Sequence, residues 1–182
     1  IKGLADDGGL FLPEKDYKFD EKDLSKLQSM SYYELATEIV YKFTGDFIEK
    51  DNLYELVKKS YSSFRSEEVV KLRKVGNFNI LELFHGPTLA FKDIAMQLIG
   101  NFYEYYLSKN ENFINIIVAT SGDTGAAAID AIKVKKNLNI FVLHPHNRIS
   151  SVQRRIMSTV KEKNVFNIAV DGNFDDCQKI VK

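Results

Sequence analysis

The sequence predicts an α/β fold: a three-layer, parallel-sheet βαβαβα unit preceded by a mainly helical region. Three observations carry this. Apolar, β-branched runs at residues 114–119, 140–143 and 165–170 recur about every 25 residues, a spacing that leaves room for one crossover helix per interval. The intervals carry helical patterning, alanine-rich at 124–134 and amphipathic at 151–160. The runs are continuously apolar rather than alternating, the pattern of strands covered on both faces. Residues 1–78 are therefore expected to form an N-terminal, mainly helical region and residues 79–182 an α/β domain.

The elements follow in order. Gly3-Leu4-Ala5-Asp6-Asp7-Gly8-Gly9-Leu10-Phe11-Leu12-Pro13 is turn-rich, then apolar, then broken by proline, as in a short strand or an extended arm. Ser31 and Glu34 form a capping-box pattern, followed by Tyr32, Ala36, Ile39, Val40 and Phe43 at helical spacing. Leu53, Leu56, Val57, Tyr61 and Phe64 make a second stripe, and both read as packing helices. Residues 80–84 suit a short strand. Residues 92–107 suit a helix with Ala95, Leu98, Ile99, Phe102 and Tyr106 on its packed face, and 175–181 start a last helix.

Composition narrows the function classes. With 45% hydrophobic and 27% charged residues the chain is of ordinary globular type. Its 25 basic and 25 acidic residues cancel, which removes a broad electrostatic footprint for nucleic acid or an anionic membrane. The single Cys177 excludes an internal disulfide and a cysteine-based metal cluster, and reads as packing. His144 and His146 are too few for a metal site, so no metal is expected. No apolar run reaches eighteen residues and no leader is visible, so a cytoplasmic protein is expected. The chain opens at Ile1 and ends inside a helical pattern without a stop signal, so a fragment is expected.

Two segments carry chemistry. Thr120-Ser121-Gly122-Asp123-Thr124-Gly125 lies where a strand ends and a helix begins. Ligands of open parallel sheets bind there, and the first amides of a helix favour an anion. Ser121, Gly122, Asp123, Thr124 and Gly125 thus form a seat for a carboxylate or phosphate, or a plain helix cap made by Asp123 or Ser121. The second segment is Leu83-Phe84-His85-Gly86-Pro87-Thr88-Leu89-Ala90-Phe91-Lys92-Asp93. Phe91-Lys92-Asp93 alone reads as surface decoration. Leu89, Ala90 and Phe91 surround the amine with apolar groups, however, and desolvation suits an amine that must react with a carbonyl. His85 either orients this turn or is a satisfied structural histidine. Arg148, Ser150 and Ser151, past a further strand, offer a second anion seat or a capped helix with a solvated arginine. Arg154 and Arg155 read as surface.

Together the two segments resemble the lysine segment and the substrate loop of threonine synthases, pyridoxal-phosphate enzymes of the tryptophan-synthase-β fold type. Gly8-Gly9-Leu10-Phe11-Leu12-Pro13 and Val170-Asp171-Gly172-Asn173-Phe174-Asp175-Asp176-Cys177-Gln178 extend the likeness over nearly the whole chain. The resemblance implies an incomplete fold-type-II enzyme acting on O-phosphohomoserine and water to give threonine and phosphate. It implies that Lys92 holds pyridoxal 5'-phosphate as an imine and shuttles protons, with Phe91 and Asp123 beside the cofactor. Ser121, Gly122, Asp123, Thr124 and Gly125 would grip the substrate carboxylate, and Arg148 and Ser150 its phosphate. Cysteine synthases carry asparagine where this chain has Asp123, so the aspartate charge is expected to be offset by loop hydrogen bonds or a cation. The family's phosphate-cradling glycine loop falls past residue 182, so weak cofactor binding and no turnover are expected of these residues alone. The rivals are another pyridoxal-phosphate lyase of this fold type and a non-catalytic small-molecule binding module.

Overall fold

The computed structural model describes residues 5–110 and 112–182. Gly3 and Leu4 of the turn-rich opening lie outside the described residues. The chain divides into two compact units, Ile1–Glu55 and Leu56–Lys182. The expected boundary at 78/79 would instead cut a hairpin.

In the first unit, Gly8 turns the chain at φ 79, and Leu10, Phe11 and Leu12 follow exposed, without strand pairing. Helix α1 (Glu21–Gln28) begins with a capping box between Asp20 and Asp23. It has no buried residue, and for that reason no apolar stripe announces it. Helix α2 (Tyr32–Thr44) has the expected box: the Glu34 amide donates to Ser31 Oγ, and the Ser31 amide donates to the Glu34 carboxylate at 2.7 Å. The bonds from Ser31 hold that carboxyl below its ordinary value. Helix α3 (Lys50–Tyr61) runs across the division, with Leu53, Leu56, Val57 and Tyr61 buried. Phe64 lies past its end, edge-on to Tyr61 at 5.3 Å.

The second unit opens with an antiparallel hairpin. Strands β1 (Lys71–Val75) and β2 (Phe78–Glu82) pair around Gly76, which turns at φ 59. Helix α4 (Asp93–Ser108) follows. Strands β3 (Ile114–Ala119), β4 (Leu138–Pro145) and β5 (Val165–Val170) then form a parallel sheet in chain order, with β4 in the middle. Helices α5 (Asp123–Ile132) and α6 (Ser151–Ser158) are the crossovers, and α7 (Phe174–Val181) packs on β3 and β4.

One face of the sheet makes the core. Ile140 and Val142 of β4 are buried with Ile129, Ile132 and Met157, and Ile116, Val118 and Val165 close around them. Each such side chain contributes about 1.5–3 kcal/mol on burial. On the other face, Phe141 stacks on Phe166 at 4.6 Å between centroids, while Ile117, Phe166 and Ile168 stay exposed. Only the central strand is therefore covered on both faces, not all three as the apolar runs predict. At the starting edge of the sheet, the Asn164 amide donates to the carbonyls of Ile132, Lys135 and Leu138, at 3.1, 3.3 and 2.9 Å.

Helix α4 packs by a face rotated from the expected one. Met96, Gly100, Tyr103 and Leu107 turn inward; of the expected positions Tyr106 packs on the core and Leu98 and Phe102 are half-buried, whereas Ala95 and Ile99 are exposed. Gly100 sets this rotation, because a methyl group there would stand 2.7 Å from the Ala131 carbonyl oxygen. Polar contacts give the helix direction. Gln97 donates to Asp130 at 2.8 Å, and Lys135 donates to Asn101 at 2.7 Å and Glu104 at 3.0 Å. Partners advance together along both helices, so α4 and α5 run parallel with their N-termini at one end.

Glu104 also receives a hydrogen bond from Lys59 at 2.7 Å. Burial pushes its carboxyl up, but the bonds and charges of Lys59 and Lys135 outweigh this and hold it below the ordinary value. A lowered carboxyl stabilises the fold above the unfolded-state pKa and loses that contribution as pH falls through the folded one. Glu104→Gln is therefore expected to lower the urea midpoint at pH 7, with the gap to wild type closing below about pH 4. A gap that persists in acid rules out the charge as its source.

Candidate active site at the carboxyl ends of the strands

Lys92 stands at the N-cap of α4 with no side-chain cap of its own. It is half-buried, and its ammonium lies 4.3 Å from the Phe91 ring centroid. Leu89 and Phe91 are both exposed, so the apolar enclosure expected around the amine is not closed among the described residues.

The turn before Lys92 is built on Asp93, which is fully buried rather than a surface decoration. Thr88 donates its amide to one Asp93 oxygen at 2.8 Å and its hydroxyl to the other at 2.6 Å. Burial pushes the Asp93 carboxyl up, opposed by these bonds. Leu89 takes φ 67, a strained value for a side-chain-bearing residue, and a methyl on Gly86 would stand 2.4 Å from Asp93 Oδ2. The turn is thus wound around a single carboxylate next to the lysine. His85 is a satisfied histidine: its Nε2 lies 2.8 Å from Glu82 Oε2 and its ring tilts over Phe84.

The loop after β3 is held from inside by Thr120, a buried residue that no periodicity marks. Its hydroxyl accepts from the amides of Gly122 at 3.0 Å and Gly125 at 2.8 Å. Neither Ser121 nor Asp123 caps α5. No hydrogen bond among the described residues engages the amides of Ser121, Asp123 and Thr124. Free amides at the start of a ten-residue helix are of the kind that can receive an anion. Asp123 itself is exposed, and the Gln153 amide donates to its carboxylate. The offset expected from the loop or a cation comes instead from a neutral amide on α6.

The second anion seat is capped. Ser150 is the N-cap of α6 and accepts from the Gln153 amide at 3.2 Å, so its hydroxyl is engaged. Ser151, Arg154 and Arg155 are exposed. Arg148 is exposed too, and its charge reaches Asp176. That carboxyl lies below its ordinary value, first through the Asn173 amide, then through Lys179, with a smaller part from Arg148. Cys177 is buried, which pushes its thiol up and leaves it a packing group. No group of three or more candidate metal-ligating side chains occurs among the described residues, and no described helix is long and apolar enough to cross a membrane.

The parallel pairing of α4 and α5 thus puts Lys92 and the loop after β3 at the same end of the helix pair, the end of β3 where open α/β sheets bind ligands. The class of protein this describes is an α/β unit with a parallel sheet and a candidate ligand site at the carboxyl ends of its strands. The family description "Threonine synthase N terminus" matches residues 1–61. Over its whole length the chain is 46% identical to a threonine synthase of Eremothecium gossypii and 44% identical to one of Pseudomonas aeruginosa. It covers 38% and 39% of those two proteins, and so spans about two-fifths of their length. A crystal structure of pyridoxal-phosphate-bound threonine synthase from Brucella melitensis superposes with a TM-score of 0.87 at 43% identity, over 98% of this chain and 39% of that one. Over its whole length the chain is thus similar to threonine synthases, and its first 61 residues match the description of that family's N terminus.

Proposed function

We propose that this chain supplies the lysine and the carboxylate seat of a threonine synthase, which converts O-phosphohomoserine and water to threonine and phosphate in the cytoplasm. The observation that carries the reading is the placement of Lys92 and the free amides of Ser121, Asp123 and Thr124 at one end of a parallel helix pair. The residues fit pyridoxal phosphate: a half-buried primary amine suits its aldehyde, and the three free amides suit an amino-acid carboxylate beside it. When bound, the cofactor supplies the electron sink for charge developing at the substrate's Cα. Lys92 anchors it and, released, moves protons at Cα and Cβ. The amides of Ser121, Asp123 and Thr124 orient the carboxylate, and Phe91 shields the lysine's flank. Arg148 stands in the loop after β4 to meet the substrate phosphate, with Ser150 joining it if the cap opens.

The test is borohydride trapping with pyridoxal phosphate and mass mapping, on these 182 residues and on a version extended to the length of the relatives. One modified lysine, Lys92, together with phosphate release from O-phosphohomoserine by the extended version, is the expected result. Scattered surface labelling in both would sink the reading.

A further inference from the structure

Gln153 lies in the first turn of α6, outside every residue assigned a role above. Its side-chain nitrogen donates to Asp123 in the loop after β3, and its oxygen accepts from the Ser150 hydroxyl at 2.9 Å in the loop after β4. The reverse amide orientation would set an oxygen against the Asp123 carboxylate, so the network fixes the assignment. The same side chain lies flat on Gly122. A methyl there would stand 2.2 Å from Gln153 Oε1 and 2.4 Å from its Cδ, and Gly122 holds φ 140, a value side-chain-bearing residues rarely adopt. One neutral side chain therefore joins two loops at the carboxyl ends of neighbouring strands, and touches the anion seat at two consecutive residues.

The chemistry explains why an amide serves here. Asp123 is the carboxylate inside a seat for another carboxylate, and left alone it would turn toward the free amides of its own loop. An amide donor occupies it without adding charge, and a lysine in its place would neutralise it and compete for the incoming anion. We infer that Gln153 is a positioning residue that draws Asp123 out of the anion seat and fixes the loop with the amides of Ser121, Asp123 and Thr124 open to the substrate carboxylate. The inference deepens the proposed function and rests on it for its kinetic half.

Gln153→Leu keeps the volume and removes the donor. The first readout is amide hydrogen exchange over residues 121–125 without ligand, which does not depend on the enzyme reading. Exchange is expected to rise about tenfold at the two hydrogen-bonded amides of that loop, Gly122 and Gly125, the worth of one hydrogen bond to a charged group. The rest of the sheet should be unchanged. In an Asp123→Ala background the same substitution should add less than about twofold, because partners in one interaction are not additive. The second readout is kinetic, in the version extended to the relatives' length. KM for O-phosphohomoserine should rise roughly tenfold to a hundredfold, with kcat little changed and the Lys92 adduct intact. Unchanged exchange overturns the inference, and so does an equal effect in both backgrounds or faster exchange with an unaltered KM. A wild type with neither adduct nor turnover defeats the enzyme reading, while the exchange arm still decides the role of Gln153. A Gln153→Leu protein that fails to fold passes the test to Gln153→Ala, read in the same way.

Discussion

Lys92→Ala is expected to yield a folded protein that forms no reducible adduct with pyridoxal phosphate and, in the version extended to the relatives' length, to lower any threonine formation at least about a thousandfold. Lys92 is half-buried at the N-cap of α4, makes no cap hydrogen bond, and has its ammonium against the Phe91 ring. A cation at a helix N-terminus opposes the macrodipole, so its removal costs the fold nothing and gains a few tenths of a kcal/mol. Stability and chemistry therefore separate at this position. Lys92→Arg sharpens the test, because a guanidinium keeps the charge and the ring contact but does not deprotonate to attack a carbonyl. Both variants should fail alike in the version extended to the relatives' length, by absorption spectrum and by phosphate release. An arginine variant with substantial turnover would show that the charge matters and the amine does not.

The second large effect falls on Asp93. Asp93→Ala leaves the Thr88 amide and hydroxyl without partners in a half-buried turn. Each unsatisfied donor costs about 1–3 kcal/mol, so a loss of roughly 2–4 kcal/mol is expected in a denaturant titration. Asp93→Asn should cost less than alanine yet more than a surface change, because it presents a donor where two donors already converge. Gly86→Ala reaches the same carboxylate from the other side and should cost about 1–3 kcal/mol through overpacking. Activity should fall further than stability, since Lys92 is the adjoining residue and an ångström of displacement costs about a hundredfold. Near-wild-type midpoints for all three would mean that the turn is held by something other than Asp93.

These two residues also show what a sequence reveals. Runs such as Ile114-Asn115-Ile116-Ile117-Val118-Ala119 announced β3 to the residue, and Ser31 with Glu34 announced the start of α2, because strand burial and capping are local effects. Lys92 and the loop after β3 were legible as long motifs. Asp93 was not, because its partner Thr88 lies across a turn whose winding is invisible in the composition. The hairpin strand Lys71–Val75 was missed because its burial is slight and its pattern polar, although Gly76-Asn77 between the strands is a turn signal. The packed face of α4 was misread by one position, since the glycine that lets α5 approach carries no hydrophobic signal. Thr120 and Gln153 act through a hydroxyl and an amide reaching neighbouring backbone and loops, and only tertiary structure brings those partners together.

Asn164 has a consequence for anyone who re-engineers this chain. Its amide ties the end of α5, the turn after it and the start of β4 to the start of β5, all at the edge of the sheet remote from Lys92 and Asp123. Added residues between 133 and 138 would pull those carbonyls away from a side chain of fixed reach, whereas the exposed segment 146–148 is tied to its neighbours more lightly, by the His146 amide to the Val170 carbonyl at 2.8 Å and by Arg154 to Asn147 at 3.5 Å. The sheet thus has a sutured edge and a graftable one. Tags, inserted reporters and chain breaks belong on the second, where they would disturb substrate access before they disturb folding.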